Sequence, residues 1–233
     1  MTRARALIPV VGLTVAAAAY GGGVAAAVSP AQEVAAALSA GLGQHSVRWI
    51  SSESAGGIKL GIVSDVGQEA GSQIITWTQG PAEGVLSVVL IHNTAYLIGN
   101  AAGLYVQGFT SAAATAEANK WIAVKPSSAA YASAAAGLTI SSTLAPLKMN
   151  GSVTAAPGAK ILGITTVGFK GTSKPFEGEP GAPEELYLRS SGLPLPVEVV
   201  QKGMTTRFDN WGEPIKVTAP LGAITIKASW LRK

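Results

Sequence analysis

The stretch LYLRSSGLPLPVEVVQKGMTTRFDNWGEPIKVTAP, residues 186–220, decides the fold class of this chain. Leu186 and Leu188 alternate with polar neighbours, and the same alternation resumes after a turn that contains Pro194 and Pro196. A period of two is the spacing of a β-strand with two unlike faces. Proline cannot donate a ladder hydrogen bond, so the two prolines mark a turn and a sheet edge. The stretch therefore predicts antiparallel strands with one apolar face that another element must cover.

Further alternating runs predict the rest of the sheet. Within the stretch, the runs at 205–208 and 215–218 predict two more strands. Upstream, apolar runs bounded by turn residues predict strands at 47–51, 58–63, 73–78, 85–91, 95–98, 104–109, 121–124 and 160–169. The connections are too short for helical crossovers, so neighbouring strands should be antiparallel. Strand lengths and spacing predict about nine to eleven strands in an α+β fold.

Short helices accompany these strands. Ser29 and Pro30 form a helix start, because serine caps the first turn and proline suits its first position. Residues 131–136 favour a second helix, and Ser142 is a candidate cap for a third that ends near residue 147.

Composition limits the possible chemistry. The chain has 233 residues, 48% of them hydrophobic and 13% charged, and it has no cysteine. Such a length fits one domain with a sizeable core, which we place at residues 28–233. The missing cysteines exclude disulfides, thiol nucleophiles and cysteine-ligated metals.

Residues 1–27 resemble a targeting segment. Arg3 and Arg5 form a positive start, an apolar stretch follows, and small residues at 25–27 suit cleavage before Val28. The alternative is an uncleaved N-terminal anchor. Cleavage would remove both arginines and lower the formal charge from +4 to +2 (4 − 2). The sequence has no run of basic residues of the kind that binds nucleic acid.

Three segments resemble a known family. LPLPVEVV (193–200), RFDNWGEPIKVTAP (207–220) and GITTVGFKG (163–171) are similar to segments of the LolA/LppX/LprG-like, lipoprotein-carrier-like proteins of actinobacteria, in the family's order. The resemblance implies a half-open β-barrel, in which a few short helices lie over the concave face of a curved antiparallel sheet. It also implies a hydrophobic cavity for the acyl chains of a lipid or glycolipid, transient contact with membranes, and a cell-envelope or extracellular location. Family members usually carry a lipobox cysteine, so this chain is expected to be exported without lipid modification.

No catalytic constellation is present in the sequence. GxSxG, SxxK, HExxH, P-loop and GxGxxG motifs are all missing. His45 lies between a predicted helix and strand, and His92 lies in a predicted turn, so each is interpreted as a surface or capping residue and not as a catalytic base. Two histidines with scattered carboxylates are too few ligands for a metal site. The acidic cluster Glu177, Glu179, Glu184 and Glu185 is interpreted as a solvated loop. We therefore expect no catalytic residue, metal or cofactor, and a monomer without enzyme activity.

Apolar bulk on adjacent strands supplies the candidate ligand site. Same-face side chains of neighbouring strands meet, so they would line the concave side together. The predicted lining residues are Trp49, Leu60, Ile62, Trp77, Val88, Leu90 and Gly163. Gly163 is included because a glycine within a strand often marks a close approach.

Two other functions remain open at this point. One is an envelope structural or interaction module with a closed core and no cargo, such as part of a signalling or sporulation assembly. The other is a hydrolase, which the missing nucleophile motifs oppose.

We predict that the mature chain begins near Val28 and carries no lipid. The intact mass of protein purified from the native host measures this directly. A mass that retains residues 1–27, in protein that sediments with membranes, would show an anchored chain instead.

Overall fold

The computed structural model describes residues 28–174 and 181–232, and the predicted targeting segment therefore lies outside the described residues. The helices are α1 (Pro30–Leu42), α2 (Ala101–Val106), α3 (Ser111–Ala116), α4 (Tyr131–Ala135) and α5 (Ile140–Leu144), with short 3-10 helices at Ala145–Leu147 and Ala228–Trp230. The strands are β1 (Ser46–Ala55), β2 (Ile58–Gly67), β3 (Gly71–Gln79), β4 (Ala82–Ile91), β5 (Thr94–Gly99), β6 (Ile122–Val124), β7 (Asn150–Ala156), β8 (Lys160–Ile161), β9 (Ile164–Thr172), β10 (Pro183–Arg189), β11 (Pro196–Gln201), β12 (Met204–Asp209) and β13 (Ile224–Thr225).

One sheet organises the chain. Its strand order is β13-β6-β5-β4-β3-β2-β1-β12-β11-β10-β9-β7, and β8 pairs with β9 beside this path. The pairs are antiparallel except β13 with β6, which is parallel. The sheet is curved and open, with short helices on one face, and this confirms the predicted α+β class. The described residues form more strands than predicted, partly because β8 and β13 are two-residue strands that leave no periodic signal.

Tight turns set the register of the long hairpins. His92 and Asn93 both have positive φ angles, 47° and 58°, in the turn between β4 and β5. Gly56 and Gly57 occupy the same conformation between β1 and β2, with φ angles of 57° and 78°. Two consecutive residues with positive φ match the twist of paired strands and fix which residues face each other. The predicted turn at His92 is therefore confirmed.

Three predicted segments differ in the structure. Residues 104–109 do not form a strand. The first three of them lie in α2, whose first turn is capped by the Asn100 side chain accepting a hydrogen bond from the Gly103 amide. Residues 160–169 do not form one strand, because Leu162 and Gly163 turn the chain between β8 and β9 with φ angles of 50° and 80°.

The third difference is at residues 215–218, which alternate like a strand but pair with none. Both edges of the preceding β12 are already occupied, by β1 and by β11, so no ladder is free beside it. The chain instead crosses the start of β1. There the Gly212 amide donates to the Ser46 carbonyl at 2.9 Å, and the Ser46 hydroxyl donates to the Glu213 carbonyl.

The concave side of the sheet carries two hydrophobic clusters. The first joins α1 and α5 to strands β1, β2 and β9–β12, and the second joins α2, α3 and α4 to β4, β5 and β6. Leu138 belongs to the second cluster and Ile140 to the first, so the segment around Thr139 bridges them. Each helix in the described part of the chain falls short of the length and hydrophobicity that a membrane span requires.

Gly71 marks the close approach of this bridging segment to the sheet. A Cβ atom at Gly71 would overlap the Leu138 carbonyl oxygen, whereas one at Gly43 would meet Ala40 at an ordinary 3.5 Å. We predict that Gly71→Ala lowers the free energy of unfolding by about 1–3 kcal/mol through overpacking. Gly43→Ala is the matched control and should be neutral or gain up to about 1 kcal/mol. Urea denaturation of both variants measures the difference, and equal stabilities would contradict the packing of residues 137–140 on β3.

Candidate functional site

The strand registers arrange the core-facing side chains of the sheet in rows. Leu60 on β2 pairs directly with Trp77 on β3, and Ile62 pairs with Ile75 one row further in. Directly opposed residues of antiparallel strands point to the same face. These four side chains are only half-buried. They form an apolar surface that we call the central strip.

The central strip lies between the two hydrophobic clusters. Helices α2 and α4 pack on β4 and β5, while α1 packs on β7 and β11, so the described helices lie mainly to either side of β2 and β3. Ile62 contacts the first cluster and Ile75 contacts the second. The seam between the clusters therefore runs along the strip and leaves apolar surface accessible to a ligand.

A groove of about 240 Å³ extends the strip toward α2 and α3. It is lined by Trp77, Ala101, Ala102, Tyr105, Ser111, Ala114 and Thr115. The pyrrole side of the Trp77 indole lies against Gly84 of β4, where any Cβ atom would overlap the ring. Small residues thus make room for one large aromatic side chain that belongs both to the strip and to the groove.

A second groove, of about 410 Å³, lies between α1, α5 and β7. Its walls include Val34 and Leu38 of α1, Leu144 of α5, and Met149 and Val153 beside and on the edge strand. The volume falls within the range of small-molecule sites, roughly 300–1,000 Å³. None of the predicted lining residues lies in this groove, although Val34, Leu38 and Leu42 recur every four residues and so form an apolar stripe on α1.

Deeper in the sheet, the next row contains three polar side chains. Trp49 pairs with Ser64, and Ser64 pairs with Gln73, on three consecutive strands. Their exposed fractions are 8%, 1% and 7%. The indole Nε1 of Trp49 and the hydroxyl of Ser64 have no hydrogen-bond partner among the described residues. An unsatisfied buried group costs about 1–3 kcal/mol, so two of them in adjacent positions need an explanation.

Glu184 corrects the interpretation of the acidic cluster. It lies on β10, paired with Gly171 and Gln201, and its side chain is buried at 3% exposure. Its Oε1 atom has no partner in the described chain, and burial raises the pKa of the carboxyl from 4.5 to about 7. Glu184 is therefore a buried strand residue and not part of a solvated loop.

The other acidic residues of the cluster differ from Glu184. Glu185 is partly exposed and forms an ion pair with Lys170 at 2.8 Å, and the hydrogen bond from Lys170 is the main cause that lowers its pKa. Glu177 and Glu179 lie outside the described residues.

Six of the seven predicted lining residues share the concave face. Leu60, Ile62 and Trp77 are half-buried in the central strip, and the other three are buried in deeper rows at Trp49, Val88 and Leu90. Gly163 does not join them. It is exposed in the turn before β9, and a Cβ atom there would meet nothing within 4 Å. The premise that Gly163 lies within a strand is wrong.

No metal-binding cluster is found in the described ranges 28–174 and 181–232. Within them, no three His, Asp or Glu side chains lie close enough to hold a metal ion. His45 is exposed between α1 and β1, and His92 is exposed in its turn.

Comparison with known proteins identifies the fold. No protein-family model matches the sequence, and no curated protein matches it. The crystal structure of LprF from Mycobacterium bovis is similar, with a TM-score of 0.57 and 15% identity over 83% of this chain and 97% of LprF.

Two likenesses are weaker, with TM-scores below 0.5, and do not identify the fold. One is the hypothetical protein CT021 from Chlamydia trachomatis, with a TM-score of 0.32 and 10% identity over 83% of this chain and 98% of CT021. The other is a DUF1329 family protein from Desulfovibrio piger, with a TM-score of 0.34 and 11% identity over 82% of this chain and 95% of that protein. The chain therefore has the LprF-like fold, and the resemblance to LolA/LppX/LprG-like proteins is confirmed at the level of the fold.

The buried Glu184 carboxyl predicts a pH-dependent stability. Its folded pKa is raised, so the folded state holds the proton more tightly and stability falls as pH rises from 4.5 through about 7. The full shift corresponds to on the order of 3 kcal/mol. Glu184→Gln should therefore raise the free energy of unfolding at pH 8.5 by up to this amount and change it little at pH 5.

Denaturant unfolding at both pH values measures the effect. Glu185→Gln is the matched control on the opposite face, and it should not stabilise the protein at pH 8.5, because it removes the Lys170 ion pair. Parallel pH–stability curves for wild type and Glu184→Gln would show that the carboxyl is hydrated.

Proposed function

We propose that this protein binds a lipid or glycolipid by an acyl chain laid along the central strip, and carries it within the cell envelope. The observation that carries the proposal is the strip itself. Four apolar side chains in register, Leu60, Trp77, Ile62 and Ile75, remain half-buried on the concave face between two well-packed clusters. Accessible apolar surface in a concavity is the usual setting of a small-molecule site.

The energetics are sufficient for binding. Each buried methylene contributes about 0.8 kcal/mol before ordering costs. A sixteen-carbon chain would gain on the order of 10 kcal/mol in gross terms, which leaves micromolar affinity after losses of several kcal/mol. The groove beside Trp77 lengthens the apolar path.

The LprF-like fold and the sequence resemblance support this function. The resemblance implies acyl-chain cargo, a cell-envelope or extracellular location and transient membrane contact, and we extend these to the present chain. Because the chain has no lipobox cysteine, the exported protein carries no lipid modification. It acts as a monomer, with one domain over residues 28–233. The proposal contains no catalytic step and requires no cofactor.

A second candidate is a structural or interaction module without cargo. It is favoured by one observation, that the deeper rows are filled by the protein's own side chains: Trp49, Val88 and Leu90 are all less than a tenth exposed. If the half-buried strip takes no ligand, this closed module is the better account.

Two adjacent residues of β3 separate the alternatives. Ile75 lies in the strip, while its neighbour Ile74 is 50% exposed on the opposite face. We predict that Ile75→Glu weakens binding of the methyl ester of a pyrene-labelled fatty acid at least tenfold, since burying one isoleucine contributes about 1.5–3 kcal/mol. Ile74→Glu should stay within twofold of wild type. Fluorescence titration measures both affinities, and thermal melting checks that both variants fold.

If Ile75→Glu does not fold, Leu60→Ser makes the same test at the exposed end of the strip. Equal binding by folded strip and control variants would remove the strip from the site. No binding by the wild type would favour the closed module.

A further inference from the structure

The buried polar row below the strip is not explained by acyl-chain binding. Trp49, Ser64 and Gln73 stand side by side on β1, β2 and β3, each less than a tenth exposed. Their neighbours along the same row are the buried Phe208 and Val88. Polar groups are costly to bury without partners, and the buried hydroxyls of Ser51 and Thr206 on the same face do hydrogen-bond to each other.

Two side chains of this row, Trp49 and Gln73, lie below Gly137. A Cβ atom at Gly137 would lie 3.3 Å from Cζ2 of Trp49 and 3.6 Å from Nε2 of Gln73. Cζ2 belongs to the same edge of the indole as Nε1. Ser64 lies between the two residues in the strand register. The row therefore places an indole N–H, a hydroxyl and a carboxamide on three consecutive strands, with Trp49 and Gln73 both beneath Gly137.

Two of these groups are left without a partner in the described chain. Nε1 of Trp49 can only donate a hydrogen bond, and the hydroxyl of Ser64 can donate or accept. An oxygen atom is a group with which each of them can form a hydrogen bond, since it accepts from the indole N–H and from the hydroxyl.

The row borders the proposed acyl site. Ile62 precedes Ser64 by two residues on β2, and Ile75 follows Gln73 by two on β3, so all four point to the same face. Two residues of a strand span about 6.6 Å. A linear lipid on the central strip would therefore bring a polar group into the row within a few bonds of its apolar chain.

We propose that the row formed by Trp49, Ser64 and Gln73 binds an uncharged oxygen-bearing group of the lipid, such as an ester or amide carbonyl or a hydroxyl. Trp49 Nε1–H donates to the oxygen, Ser64 supplies a second hydrogen bond, and the Gln73 carboxamide lies beside them. This inference rests on the proposed function and adds the chemistry of the cargo at one defined place.

The surroundings of the row select against charge. Phe208 and Val88 flank it, and Val47 and Val66 occupy the next row inward. No ionised side chain of the described residues belongs to these positions. A carboxylate or phosphate entering the row would lose its hydration without gaining a counter-charge. The row should therefore accept an ester and reject the corresponding free acid.

Three pyrene-labelled probes of equal chain length test this inference: a methyl ester, its free acid and the hydrocarbon. At pH 8 the wild type should bind the ester at least tenfold more tightly than the ionised acid. The ester should also bind more tightly than the hydrocarbon. Ser64→Ala and Trp49→Phe should each reduce the ester-to-hydrocarbon affinity ratio about fivefold, the loss of one hydrogen bond. Ser72→Ala, beside Gln73 on the opposite face, is the matched control and should leave the ratio unchanged.

The outcomes separate this inference from the proposed function. If the wild type binds the three probes equally, or if Ser64→Ala and Trp49→Phe change only the melting temperature, the row serves stability alone and the inference fails while acyl binding stands. If the wild type binds none of the probes, the proposed function fails as well. Should Trp49→Phe not fold, Ser64→Ala decides.

Discussion

The pairing of β1 with β12 is the constraint on which the rest of the structure depends. Strands β1–β5 and β9–β12 each form a run of neighbours close in sequence, and this single pairing joins them into one sheet. Within it Trp49 faces Phe208, and the Thr206 hydroxyl donates to the Ser51 hydroxyl at 2.9 Å across a separation of 155 residues. Long-range pairing of this kind carries a large loop-closure entropy, so it must be supported by extensive burial on the concave face.

That junction also positions the candidate site. Because β1 is central, the first hydrophobic cluster forms over β1 and β12, and the second forms over β4 and β5. The uncovered seam then falls on β2 and β3, where Ile62 meets Ile75. The central strip lies toward the exposed strand ends, whereas the row of Trp49, Ser64 and Gln73 lies deeper, where Gly137 of the bridging segment covers it.

Local sequence predicted most of the sheet and part of the site. Short turns such as His92-Asn93 fix the register of hairpins, so the facing of Leu60 and Trp77 follows from alternation alone. Non-local relations could not be predicted. Glu184 follows a segment rich in proline and glycine, and its burial depends on pairing with Gln201. Residues 104–109 are too short a run to distinguish the helical period from that of a strand.

We propose that this LprF-like sheet holds a lipid on its concave face. Mass spectrometry of the organic extract of protein purified from its native host tests this proposal most directly. We predict a lipid in near-stoichiometric amount in the wild type, one that contains an acyl chain and an uncharged ester, amide or hydroxyl group. We also predict its depletion in folded Ile75→Glu but not in Ile74→Glu. Wild-type protein free of lipid, or lipid retained equally by both variants, would contradict it.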